Sequence, residues 1–166
     1  MIVLVDSFNA IYKFSELEDC MYKGDLAKAR NGFFQLMLEF RKNWKKPIEL
    51  HLFFDGKKKP GDDIEYENVS GMYVYYSHDK SADFMIKEFI KKTQSPGLLR
   101  VVSSDKDIFY YAKKKKCTVQ TSEEFSKWVL SVIRMQNEKL PGKDTEPDLS
   151  ENEVNYWLNM FRSKKK

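Results

Sequence analysis

The chain opens MIVLVDSFN, and Ile2–Val5 holds no polar residue before Asp6. A strand with one wet face alternates apolar and polar residues. An unbroken apolar run of this length, ended by turn-forming residues, marks a strand buried on both faces, as in parallel sheets flanked by helices. Asp6 therefore falls where the first strand ends. In open α/β sheets ligands bind outside the carboxyl ends of the strands, so an ionisable group delivered there is placed for chemistry.

Two later strands end in the same way. Ile48–Phe54 (IELHLFF) runs into Asp55-Gly56, and Leu98–Val102 (LLRVV) leads through Ser103 and Ser104 to Asp105. Between the first two, Leu26, Ala29, Phe33, Met37, Phe40 and Trp44 recur at spacings of three and four and predict a helix closed by Pro47. Met72–Tyr76 reads as the third strand. Ser81 then caps a helix with Ala82, Met85, Ile86, Phe89 and Ile90 on one face and Asp83 in its first turn. A short helix through Tyr111 and Ala112 and a fifth strand at Thr118–Gln120 follow. A capping box, Thr121 with Glu124, starts a helix whose face is Phe125, Trp128, Val129, Val132 and Ile133. Residues 10–23 read as a loop with a short helical turn, and 57–67 as a polar loop around Pro60-Gly61.

This alternation predicts a doubly wound, mainly parallel α/β sheet with helices on both faces. Residues 1–136 form the domain. Residues 137–149, with Pro141, Gly142 and Pro147, read as a linker. Residues 150–163 read as a C-terminal helix with its own capping box, Ser150 and Glu153, whose stripe of Val154, Trp157, Leu158 and Phe161 docks on the same domain.

At 166 residues the chain suits a single core, and 42% hydrophobic with 33% charged residues is a globular balance. Its apolar runs are too short to cross a bilayer and it opens directly into a strand, so a cytoplasmic protein without membrane attachment, a monomer, is expected. Cys20 and Cys117 lack metal-ligand spacing and read as free thiols. The net charge of +4 comes with lysine runs at Lys57–Lys59, Lys113–Lys116 and Lys164–Lys166. Such runs serve equally to neutralise phosphates or to solubilise a surface.

Short crossovers bring the carboxyl ends of the strands to one edge, so Asp6, Asp55 and Asp105 meet there with Asp83. Carboxylates held close together repel, and some would take up protons unless a counter-charge were present. Oxygen donors without His or Cys suit Mg²⁺ or Mn²⁺ rather than Zn²⁺. A metal of this kind clamps a phosphodiester and activates water. Competing chemistries lack their parts: the chain has no G-x-G-x-x-G, no phosphate-binding G-x-x-x-x-G-K-[ST] and no G-x-S-x-G. An aspartyl-phosphate enzyme would want an acid where Phe8 stands. His51 and His78 read as structural or surface residues.

The opening VDSFN with its D-x-x-N arrangement, FFDG, SADFMI, VVSSDKD and the late LSENEVNYWL together resemble the YacP-like branch of the NYN domains, within the PIN-like ribonuclease superfamily. The resemblance implies a Mg²⁺- or Mn²⁺-dependent endoribonuclease acting on single-stranded RNA; the choice between messenger and ribosomal RNA, and between free RNA and RNA presented by the ribosome as a partner, stays open. It implies that Asp6, Asp55, Asp83 and Asp105 form the acidic metal-binding cluster, with Asp107 as a further acid. Asn9 would orient Asp6 or the scissile phosphate, and Ser104 would hydrogen-bond within the cluster. Lys57, Lys58, Lys80 and Lys106 adjoin these acids and would hold the RNA backbone. Tyr73, Tyr75 and Tyr76 either stack bases or pack the sheet. A non-catalytic RNA- or ribosome-binding module and a small-molecule phosphohydrolase are the alternatives, and the intact acid set favours the nuclease.

Overall fold

The computed structural model describes residues 1–138. The predicted linker beyond Glu138 and the helix predicted at 150–163 lie outside the described residues. The elements are β1 (Ile2–Asp6), α1 (Ser7–Ile11), α2 (Ser15–Tyr22), α3 (Leu26–Asn43), β2 (Glu49–Phe54), β3 (Tyr66–Val69), β4 (Met72–Tyr76), α4 (Ala82–Lys92), β5 (Leu99–Val102), α5 (Lys106–Lys114), β6 (Thr118–Gln120) and α6 (Ser122–Asn137). A 3₁₀ turn at Pro96–Leu98 leads into β5. Among the described residues no helix is long and apolar enough to cross a membrane.

The six strands form one sheet in the order β3-β4-β2-β1-β5-β6. Every neighbouring pair is parallel except β3 with β4. β1 thus lies between β2 and β5, with all five parallel strands delivering their carboxyl ends to one edge. The doubly wound, mainly parallel sheet read from the sequence is the fold observed.

Alternation along β1 divides the core in two. Val3 and Val5 face one side, where they pack with α1, α2, α3 and α6 around Phe33, Phe40, Phe54 and Phe125. Leu4 faces the other, with Phe53, Leu99 and Val101 beneath Ile86 and Ile90 of α4 and Ile108 and Ala112 of α5. Fully burying apolar side chains of this size stabilises by about 1.5–3 kcal/mol each. Asp6, two residues beyond Leu4, shares the face of α4 and α5.

Two segments differ from the sequence reading. Residues 10–23 are not a loop: they carry the end of α1 and all of α2, held by burial of Ala10, Ile11, Phe14, Leu17 and Cys20 against the first core. Residues 57–67 are not all loop either, because Tyr66 and Glu67 begin β3. That strand is an antiparallel edge closed on β4 by the two-residue turn Ser70-Gly71, with φ of 51° and 85°. Positive φ at both central residues is what a type I′ hairpin turn demands. Arg41 Nη2 donates to the Ser70 carbonyl at 2.5 Å and fastens the turn to α3.

Candidate active site

β1 delivers Asp6 to the carboxyl edge of the sheet as a buried carboxylate, only 7% exposed. Ser103, just beyond β5 and itself buried, donates from Oγ to Asp6 Oδ2 at 2.9 Å. The same hydroxyl accepts from the Asp105 N–H at 3.0 Å. Asp55 follows β2, and its Oδ1 accepts from the Ala82 N–H at 2.8 Å, at the first turn of α4. Asp105 caps α5, accepting from the N–H groups of Asp107 and Ile108 at 2.9 and 3.1 Å. The amino ends of two helices therefore face the acid edge, where their dipoles favour negative charge.

Burial pushes the Asp6 carboxyl up to about 7, against the opposing pull of the Ser103 hydrogen bond. The charges of Asp55, Asp105 and Asp83 each push it the same way. Asp6, Asp55, Asp83 and Asp105, all singled out from the sequence, thus form one electrostatic group centred on Asp6. Asp107 does not belong to it. That side chain is exposed and ion-paired with Lys87 on α4, whose ammonium also lies 3.1 Å from Asp83 Oδ1.

The oxygens fit a hard divalent cation in kind: all are carboxylates, and the charges of Asp55, Asp83 and Asp105 raise the proton affinity of the buried Asp6. Among the described residues, however, no three Asp, Glu, His or Cys side chains form a ready-made metal cage. Asp55 and Asp105 are turned to backbone N–H groups and Asp83 to Lys87.

Asn9 and Ser104 sit beside this group in a second network. Asn9 Oδ1 accepts from the Ser104 N–H at 2.9 Å and from Ser122 Oγ at 2.6 Å. Ser104 Oγ donates to Glu123 Oε2 at 2.6 Å and accepts from the Ser122 N–H at 3.0 Å. Glu123 also pairs with Lys13 at 2.8 Å, and that bond first, then the one from Ser104, holds its carboxyl down at about 2. The serine bonded to the acid group is thus Ser103, not Ser104. The alternation that puts Leu99 and Val101 on the α4 and α5 face continues to Ser103 and turns Ser104 the other way, toward α6. Asn9 likewise holds the exit of β5 and the start of α6, and among the described residues its side chain is found hydrogen-bonded to Ser104 and Ser122 rather than to Asp6.

Sequence reading passed over Ser103, Lys87, Ser122, Glu123 and Lys13. Lys87 had a signal, since it follows Asp83 by four residues on one helix face. Of the lysines expected to meet RNA, Lys57 and Lys106 are exposed. Lys58 pairs with Glu67 at 2.8 Å, and the Lys80 ammonium lies 4.9 Å from the centre of the Phe84 ring.

A model of the YacP-like NYN domain family matches residues 3–162. Two solved structures are similar to nearly the whole chain. One is the crystal structure of a point mutant of Rae1 (YacP) from Bacillus subtilis, at 18% identity and a TM-score of 0.67, covering 95% of this chain and 92% of that one. The other is the crystal structure of Rae1 (YacP) from Bacillus subtilis, at 16% identity and a TM-score of 0.65, covering 99% and 90%. At these identities the likeness is one of fold. Among curated proteins no match was found.

Proposed function

The chain belongs to the YacP-like NYN domain family, of PIN-like nuclease fold and ribonuclease type, and from that premise we propose that it is a Mg²⁺- or Mn²⁺-dependent endoribonuclease cutting single-stranded RNA. The observation that supports this reading is the grouping of Asp55, Asp83 and Asp105 around the buried Asp6. Such an arrangement costs stability unless a cation is held there, so its presence calls for a role.

Asp6, Asp55, Asp83 and Asp105 would hold the metal, which when bound supplies charge to offset the phosphate and lowers the pKa of an attacking water. The chain itself contributes the rest. Ser103 fixes the rotamer of Asp6 and the backbone of Asp105 through one hydroxyl. The first turns of α4 and α5 present their positive ends to an incoming phosphodiester. Asp55 and Asp105 are exposed, so the edge is open enough for a single strand to lie across it. The Asn9, Ser104, Ser122 and Glu123 network holds α6 against the exit of β5 and keeps that edge rigid. Lys57, Lys80 and Lys106, next in sequence to this edge, are the proposed phosphate contacts on either side of the cut. Messenger or ribosomal RNA, free or presented by the ribosome, is the proposed partner.

The test is cleavage of a mixed RNA pool, with cut ends mapped, by wild type and Asp6→Asn in Mg²⁺, Mn²⁺ and EDTA, and again on translating ribosomes. Metal-dependent cuts lost in the mutant are expected. RNA left intact in both settings by a protein that binds no Mn²⁺ would overturn the proposal. Turnover of a phosphomonoester without RNA cleavage would move the activity to a small-molecule phosphohydrolase.

A further inference from the structure

The row of residues paired across the sheet from Asp6 is aromatic all the way to the edge. Asp6 is in register with Phe53 of β2, Phe53 with Tyr75 of β4, and Tyr75 with Tyr66 of β3. Paired residues point to the same face, and this one is the face that carries α4 and the acid group. The neighbouring row repeats the pattern with Leu4, His51 and Tyr73.

The rings are stacked. Phe53 and Tyr75 lie 4.6 Å apart at 10°, and His51 and Tyr73 4.6 Å apart at 14°. Tyr66 ends the first row 5.4 Å from Tyr75 and tilted 48° to it, and stacks at 24° and 6.4 Å on Tyr73 of the neighbouring row. α4 packs over β1 and β2, and Tyr75 of β4 packs against the same core beside it, which leaves Tyr66 of β3 at the open end of the row. Tyr66, on the edge strand, is 49% exposed. A packed sheet face has no need to end in a half-exposed tyrosine, whereas a stack with one open end accepts another planar ring.

Resting on the nuclease reading, we propose that this face is a base-stacking platform: single-stranded RNA leaving the acid edge crosses β2 and β4 and lays a base on Tyr66. Strands about 4.8 Å apart put β3 about 14 Å from β1, a few nucleotides from the cut. The loop joining β2 to β3 carries the exposed Lys57 and Lys59 in the stretch between Asp55 and Tyr66, whereas Lys58 pairs with Glu67, which strand alternation turns to the opposite face of β3. Rings beside lysines are the combination that holds an unpaired strand: stacking serves any base, and the cations track its phosphates. This patch therefore favours nucleic acid over a protein partner.

The test measures binding of labelled, unstructured RNA oligonucleotides in EDTA, where no cutting competes, by wild type, Tyr66→Ala, Tyr66→Leu and Tyr66→Phe, each checked for an unchanged melting temperature. Stacking predicts about tenfold weaker binding for the alanine and leucine variants and near wild-type binding for phenylalanine. A dinucleotide, too short to reach from the acid edge, should bind all four proteins alike. Equal binding by the leucine and phenylalanine variants would overturn the platform. So would a Tyr66→Ala defect confined to self-association in sedimentation, which would make the patch a protein contact. The two readings fail separately. Wild-type protein that binds RNA through Tyr66 but never cuts it sinks the nuclease and keeps the platform. Normal cutting and binding by Tyr66→Ala sinks the platform and keeps the nuclease.

Discussion

Ser103 Oγ and Asp6 Oδ2 meet at 2.9 Å across 97 residues of chain. That bond joins the exits of β5 and β1, and it is the only side-chain hydrogen bond found on the Asp6 carboxylate among the described residues. The neighbouring Ser104 serves a different set of partners.

Removing the Ser103 hydroxyl leaves two polar groups short of a partner, Asp6 Oδ2 and the Asp105 N–H. Ser103→Ala is expected to cost about 1–3 kcal/mol in urea unfolding and to slow RNA cleavage about tenfold by freeing the Asp6 rotamer. Ser104→Ala should leave the cleavage rate nearer wild type. Equal effects from the two serines would show that the Ser103 bond has no special hold on the site.

Asp6 sets a pH dependence whose sign follows from its raised proton affinity. An unfolded aspartate ionises near pH 4, whereas Asp6 in the folded protein does so near 7. Between those values the folded state binds more protons, so stability falls as pH rises from 4 to 7 and stays low above. Asp6→Asn removes the penalty. In EDTA at pH 8 it should be more stable than wild type by an amount of order a few kcal/mol, and the gap should close toward pH 4. Melting curves across this range decide it, and a mutant less stable than wild type at pH 8 would contradict it.

Lys87 neutralises Asp83 and Asp107 from within the acid edge. A divalent cation bound by Asp83 must displace that ammonium or share the carboxylate with it. Lys87→Met is therefore expected to tighten Mn²⁺ binding several-fold in calorimetric titration. Unchanged affinity would place Lys87, and Asp83 with it, outside the metal's reach.

Gly71 stands at φ 85°, and a Cβ there would come within 2.7 Å of Arg41 Nη1. Gly71→Ala both strains the hairpin turn and pushes away the guanidinium that holds Ser70. A loss of about 1–3 kcal/mol is expected. Hydrogen exchange should show the loosening in β3 and β4 rather than in β1. Uniform loosening would mean that β3 is part of the central core's cooperative unit.

β1, β2 and β5 and the acids at their ends were legible because burial leaves a largely apolar run that stops where the chain meets water. β3 was not legible: Tyr66–Val69 reads YENV, with no apolar pattern, and exists because β4 offers it an edge. The first two helices were hidden for another reason. Asp6 and Phe14, at their N-caps, make no side-chain capping bond, so neither helix announces its start, and tertiary burial sustains both. By contrast α4, α5 and α6 carry the caps that mark a boundary, at Ser81, Asp105 and Thr121. Within the site, residue types told which acids would gather. The partners of Asn9 and Ser104 depended on which way each side chain turned, and only strand alternation carried to the end of β5 separates Ser103 from Ser104.

The strand order has a consequence for synthesis. β1 is made first, yet on one side its neighbour is β5, completed only at Val102, and the Asn9 network needs Ser122. The four acids come from positions 6, 55, 83 and 105 and have no shared edge until β5 slots in beside β1. For a protein proposed to cut RNA and built alongside its own messenger, this delay works as a safety catch. On that proposal an unfinished copy would lack the complete acid set, and the capacity to cut would arrive only when the sheet closes.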